Sequence, residues 1–272
     1  MPKISVLMST FNCQNYSQIY NSVQSILDQT FKDWELIIYN DGSTDNGKTS
    51  QYINQLANLD VRIQVIESSH NHGLAYAKNQ MIKVAKGDYI TAQDDDDISE
   101  VTRLEREVDF LDKNTKYDFV GTTATVFDKD GRWGEYKTPE IPTKDSFLWS
   151  NPYIHPSVMF RKKTLKQVKG YRVAKETMRG EDYDLFLRLY AGGYKGYNIQ
   201  DNLYKYYIDR NPYKKYRPMK DRINEAKLRY KGFKSLGYGF KGLPYIVKPI
   251  LIGLIPNKIF RKIRERQYRK DR

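Results

Sequence analysis

Four short apolar runs recur at regular distance in the first third of the chain: ISVLM (residues 4–8), WELIIY (34–39), VRIQVI (61–66) and DYIT (88–91). They are apolar throughout rather than alternating, the pattern of strands covered on both faces in a parallel sheet. Between them the apolar positions take helical spacing; in the first interval Ile19, Tyr20, Val23, Ile26 and Leu27 form one face. The pattern predicts a β-α-β-α-β-α-β unit over about the first 100 residues, with right-handed crossovers. Beyond it the alternation loosens. Arg103 to Leu111 continues a helix, 117–127 reads as a long strand, GRWG (131–134) as a turn and YIHPSVMF (153–160) as another strand. A helix over 181–193 ends at Gly192-Gly193, and YKGYNI and LYKYYI, on either side of Gln200 to Asn202, suggest a hairpin. A polar helix from residue 218 leads to an apolar stretch, 243–260, broken by Lys248, Gly253 and three prolines.

With 272 residues, 39% hydrophobic and 29% charged, the chain suffices for one large α/β domain and an extension. The net charge of +13 becomes informative when divided: residues 203–272 hold 21 basic and 5 acidic side chains, whereas residues 1–202 sum to −3. A polyanion such as nucleic acid is therefore a poor ligand for the main body, while the tail suits an anionic surface. A single cysteine, Cys13, excludes an internal disulfide and fits a reducing compartment. Neither a signal-peptide pattern nor the ~20 consecutive apolar residues of a membrane span occurs, so the expected location is cytoplasmic. The broken apolar stretch, followed by Arg261, Lys262, Arg264, Arg266, Arg269 and Lys270, has two readings. It lies in the headgroup layer at the inner face of a plasma membrane, or it packs on the main domain with a solvated basic end.

Ligands of open parallel sheets bind beyond the carboxyl ends of the strands. Small, polar and acidic residues gather there: Ser9 to Asn12, Asn40 to Asp45, Ser68 to Gly73, and the four aspartates Asp94 to Asp97. Adjacent carboxylates repel one another unless a cation joins them, and oxygen ligands suit Mg²⁺ or Mn²⁺. An ion held by Asp96, with Asp94 nearby, would present open positions to a diphosphate. An N-cap for the following helix needs only one of the four. DGSTD (41–45) also has an ordinary reading as a cap and tight turn. No glycine-rich phosphate loop follows the first strand. Lys78 reads as a phosphate partner or a solvated helix lysine. His155 reads as a buried structural histidine or as a contact to diphosphate or metal, and Arg188 as an ion-pair partner.

Taken in order, ISVLMSTFN, SILDQTFKDWELIIYNDGSTD, NHGLAYAKN, GDYITAQDDDD, HPSVMFRK and GEDYDLFLRL resemble the family 2 glycosyltransferases over about residues 3–191. The departures are Phe11 for a frequent tyrosine, Asn40 for a second aspartate and Lys78 for the usual arginine. The resemblance implies the nucleotide-diphospho-sugar transferase (GT-A) fold, a Rossmann-like, mainly parallel sheet flanked by helices. The chain is expected to divide into a catalytic domain over 1–208 and a basic amphipathic helical extension over 209–272. Within the former, 1–100 would bind nucleotide and 101–208 the acceptor. The resemblance implies a nucleobase contact from Asp41, with Thr10 and Phe11 lining the base pocket, a preference for uracil, and a D-x-D element at Asp94 and Asp96. Asp96 would be the direct metal contact, Asp95 and the other neighbours serving ribose or the outer shell, and Asp182 the catalytic base of an inverting enzyme. The expected partners are a UDP-sugar, Mn²⁺ or Mg²⁺ and a glycan or lipid-linked acceptor.

The chemistry agrees with these roles. Loss of a nucleoside diphosphate from a sugar C1 builds negative charge on one side, and the attacking hydroxyl sheds a proton on the other. Two other readings are nucleotidyl transfer on a related sheet, which would need a glycine-rich basic loop where STFNCQNY stands, and nucleic-acid binding through the basic tail.

Overall fold

The computed structural model describes residues 1–210 and 218–255. The four apolar runs are strands β1 (Ile4–Thr10), β2 (Trp34–Asn40), β3 (Ile63–Glu67) and β4 (Tyr89–Ala92), joined by helices α1 (Tyr16–Leu27), α2 (Lys48–Ala57) and α3 (Leu74–Val84). β1 pairs in parallel with β2 and β4, and β2 with β3. Because successive side chains point to opposite faces, each run feeds two cores. Val6, Met8, Leu36 and Ile38 meet Ile19, Val23 and Ile26 of α1 together with Ile53 of α2, whereas Leu7, Ile37 and Tyr39 pack with Ala77 and Met81 of α3. The start of α1 is fixed by Asn15, whose side chain accepts the Ser17 amide. Tyr20, expected on its inner face, is exposed.

The second half comprises β5 (Ile98–Ser99), α4 (Arg103–Lys113), β6 (Phe119–Asp128), β7 (Gly131–Tyr136), α5 (Ser146–Trp149), β8 (Met159–Arg161), α6 (Lys162–Gln167), α7 (Glu181–Ala191) and β9 (Gly196–Tyr207). The sheet runs β3-β2-β1-β4-β8-β6-β9-β5, with β7 on β6. β8 is antiparallel to both neighbours, and β6 and β9 are again parallel.

Three expectations are corrected here. The hairpin is one continuous strand, β9: Thr122 faces Ile199 and Thr123 faces Asn202, so Gln200 and Asp201 bulge out of a single ladder. GRWG opens strand β7, the turn being Lys129-Asp130 before it. In YIHPSVMF, His155–Ser157 form a 3-10 turn, because Pro156 has no N–H for a ladder, and only Met159–Arg161 joins the sheet.

Helix α8 (Met219–Ser235) contributes Leu228 and Phe233 to the core that holds α3 and α7, and Tyr245 and Ile246 of α9 (Leu243–Leu254) pack against it. The basic positions Arg261 to Lys270, for which the sequence left open a headgroup layer or a solvated end, lie outside the described residues. Among those described, no helix is long and apolar enough to cross a membrane.

Candidate active site

A cleft of about 570 Å³ opens where the ends of β4, β7 and β9 meet the starts of α3, α7 and α8. It brings together Lys78, Asp94, His155 and Asp182; Thr10, Phe11, Asp41, Asp95 and Asp96 lie outside its lining. The acidic loop is held mainly by hydrogen bonds between side chains and the backbone. The buried Gln93 amide donates to the Asp97 carbonyl at 2.9 Å and the Ser22 hydroxyl at 3.0 Å, and accepts the Ser99 hydroxyl at 2.6 Å. The Ser22 hydroxyl donates to the Asp94 carbonyl at 2.8 Å, the Asp94 amide to Tyr204 Oη at 3.3 Å, and the Tyr207 amide to Asp97 Oδ1 at 2.7 Å. Below the loop, the Arg103 guanidinium donates to the carbonyls of Ala92 and Pro156 at 3.1 and 3.0 Å.

Burial pushes the Asp94 carboxyl up; Lys78 opposes the rise and the charge of Asp182 adds to it. Asp95 is raised by burial against the pull of the Thr10 hydroxyl, and Asp97 rises well above the usual range through burial and the charges of Asp94 and Asp96. Neighbouring acids that resist ionisation suit a divalent cation, which favours their charged forms. Among the described residues no three His, Cys, Asp or Glu side chains converge on a metal position. Mg²⁺ and Mn²⁺ are ions that keep several waters and take further oxygens from bound phosphates, so one would ask few carboxylates of the protein.

Lys78 is only 3% exposed; its ammonium donates to His155 Nδ1 at 3.2 Å. Since an ammonium has no lone pair, Nδ1 accepts, and the ring proton lies on Nε2, 2.7 Å from Tyr171 Oη. Burial and the Lys78 charge keep this imidazole neutral. Both ring nitrogens of His155 are thus hydrogen-bonded within the protein, to Lys78 and to Tyr171.

Asp41 has a scaffold role on the free protein. Its two oxygens accept the amides of His72 and Gly73 at 3.0 and 2.7 Å, closing the entry to α3 from the far side of the loop. Beside it, Gly42 has φ +67, and a Cβ there would lie 2.2 Å from the carbonyl carbon of His70. The neighbouring rim loops are stitched together by the Asn12 amide donating to Ser43 Oγ at 2.8 Å and the Thr44 amide donating to Asn12 Oδ1 at 2.7 Å. Thr10 is buried and Phe11 exposed at the end of β1.

Asp182 stands in the first turn of α7. Its Oδ2 accepts the Asn151 side-chain amide at 3.0 Å. Residues 5–170 match the Glycosyl transferase family 2 description. The chain belongs to this family. The glycosyltransferase is 36% identical to EpsE of Bacillus subtilis (strain 168), over 98% of its own length and 94% of EpsE. It is 28% identical to the UDP-Gal:alpha-D-GlcNAc-diphosphoundecaprenol beta-1,3-galactosyltransferase of Escherichia coli, over 96% of each chain. Its structure is similar to that of S. aureus TarS in complex with UDP-GlcNAc, with a TM-score of 0.71 and 16% identity over 97% of this chain and 79% of that one. The fold is the expected nucleotide-diphospho-sugar transferase (GT-A) fold.

Several cleft residues of this glycosyltransferase carry no sequence signal. Asn151, Tyr136 and Tyr206 line it from segments without motif or period. Glu181 is buried in the cleft wall. Burial, and then the charge of Asp182, push its carboxyl up to about 7. Its place beside Asp182 was the available clue. Arg188 bonds Asp184 at 2.7 Å and the carbonyls of Val168 and Gly170, anchoring α7 to the chain that precedes it.

Proposed function

We propose that this glycosyltransferase moves a hexose from a UDP-sugar, with inversion, onto a hydroxyl of a glycan or lipid-linked oligosaccharide. The setting is assembly of a cell-surface polysaccharide at the inner face of a bacterial plasma membrane. The observation that carries the reading is the cleft shared by Asp182, Asp94 and Lys78, in which the charge of Asp182 is felt at Asp94. Displacement at C1 needs a proton acceptor for the incoming hydroxyl and, across the sugar, positive charge for the departing diphosphate. Asp182 would take the hydroxyl proton, its carboxylate oriented by Asn151. Lys78, held by His155, would meet the phosphates. Asp94 and Asp96 would hold Mn²⁺ or Mg²⁺, which supplies electrostatic stabilisation to the leaving group.

Asp41, Thr10 and Phe11 are assigned to the base, and Asp95 to the ribose or to the support of Asp96. This gives residues 1–100 the donor and 101–208 the acceptor, with the segment from 209 as the extension. A relative named for UDP-Gal and a diphosphoundecaprenol-linked acceptor, and a structural neighbour solved with UDP-GlcNAc, support the donor and acceptor classes. The test is Asp182→Asn: UDP binding with Mn²⁺ should be unchanged by calorimetry while turnover falls by ~10² or more. Retained turnover would remove Asp182 from the mechanism.

A further inference from the structure

Helix α9 has an outer face without a polar residue. Leu243, Val247, Leu251 and Leu254 are 45, 43, 57 and 70% exposed and follow one another along one side, and Phe240, in the turn before, is 89% exposed. The other side packs inward through Tyr245, Ile246 and Pro249. The helix contains one charged side chain, Lys248, and it too turns inward: its ammonium donates to the Trp149 carbonyl and sits 3.4 Å from the centroid of the Trp149 ring. A helix facing water carries its charges outward; here the arrangement is reversed. The sequence that follows, residues 256–272, holds eight basic and two acidic side chains. An aliphatic surface followed in sequence by dense positive charge is complementary to the headgroup layer of an anionic bilayer.

We infer that the exposed face of α9 docks on an anionic membrane surface and thereby sets the mouth of the cleft beside the lipid. The position of α9 gives this its meaning. Gly253 lies so close to the start of α8 that a Cβ on it would come within 2.5 Å of Arg222 and 2.9 Å of Met219. Their neighbour Asp221 lines the cleft and pairs with Arg179, a second lining residue, at 3.3 Å. The Leu251–Leu254 end of the apolar row is therefore one helix away from the cleft. A saccharide whose lipid stays in the bilayer could reach Asp182 from there. That use of the surface rests on the lipid-linked acceptor proposed above, whereas the docking surface itself stands on α9.

The experiment is flotation of the full chain with vesicles of phosphatidylcholine alone and with about 30 mol % phosphatidylglycerol added. The wild type should float with the anionic vesicles. Leu251→Glu/Leu254→Glu should lose about tenfold in recovery, and Phe240→Ser a smaller part, with acceptor-free hydrolysis of UDP-sugar unchanged as the check on folding. Equal flotation of wild type and double variant overturns the proposal. So does a wild-type dimer that the double variant converts to monomer without loss of flotation, since the row would then belong to a second copy. A chain that floats as expected yet neither binds UDP with Mn²⁺ nor consumes UDP-sugar, with or without a lipid-linked acceptor, supports the docking surface while sinking the transfer reading, so the two failures are distinguishable.

Discussion

A lysine at the wall of the cleft leans on a neutral histidine, and that pairing takes up one of the two ring nitrogens. From the sequence Lys78 could as well have been solvated, since a helix lysine ordinarily points to water; here it falls on the inward side beside Ala77 and Met81. Another buried pair lies beneath the acidic loop. Arg103 and Glu107 are both fully enclosed, with Arg103 Nε 3.8 Å from Glu107 Oε2 and neither Glu107 oxygen accepting a hydrogen bond. Burial pushes the Glu107 carboxyl up to about 8 despite the guanidinium. A carboxyl that holds its proton more tightly when folded stabilises the fold fully below its ordinary value of 4.5, and that contribution is lost as pH climbs to about 8. Wild-type melting temperature should therefore fall relative to Glu107→Gln across that window in parallel thermal melts. Identical pH slopes would show that Glu107 is not buried as described.

At the scale of elements, the loop after β2 is tightly constrained. Gly42→Ala places a methyl against the His70 backbone and asks a side chain to adopt a positive φ. It should cost about 2 kcal/mol or more in denaturant unfolding and weaken UDP binding, because the displaced loop carries Asp41 with it. An unchanged midpoint would mean that the loop yields freely. The first four strands were legible because both faces are covered, which leaves an apolar run and little ambiguity. β9 was misread for a physical reason: Gln200-Asp201-Asn202 has turn composition, yet a bulge accepts the same residues while the strand continues. Likewise, GRWG contains two glycines, and the bend fell one dipeptide earlier.

For the molecule as a whole, the separation of a mildly acidic body from a basic end was plain in the charges, and so was the gathering of acids on one rim. The facing of Asp182 toward Asp94 was not, since nothing local in either segment reports on the other, and only the resemblance related them. Ligand linkage provides a test at this scale. UDP with Mn²⁺ at ~100 times its dissociation constant stabilises by about 2.7 kcal/mol, which should raise the melting temperature by roughly 5–10 °C. Either component alone should do less. No added shift from the ion would argue that the acids do not hold it.

The supports of the acidic loop also have a temporal consequence. Asp94 and Asp97 are each tied to β9 by bonds that reach 110 residues downstream. Synthesis delivers the four-strand half first, but its acidic loop stays unbuttressed until residues beyond 200 leave the ribosome, and such distant pairings close slowly. A nascent chain can therefore fold its first four strands early and still lack a finished acidic loop until β9 is made.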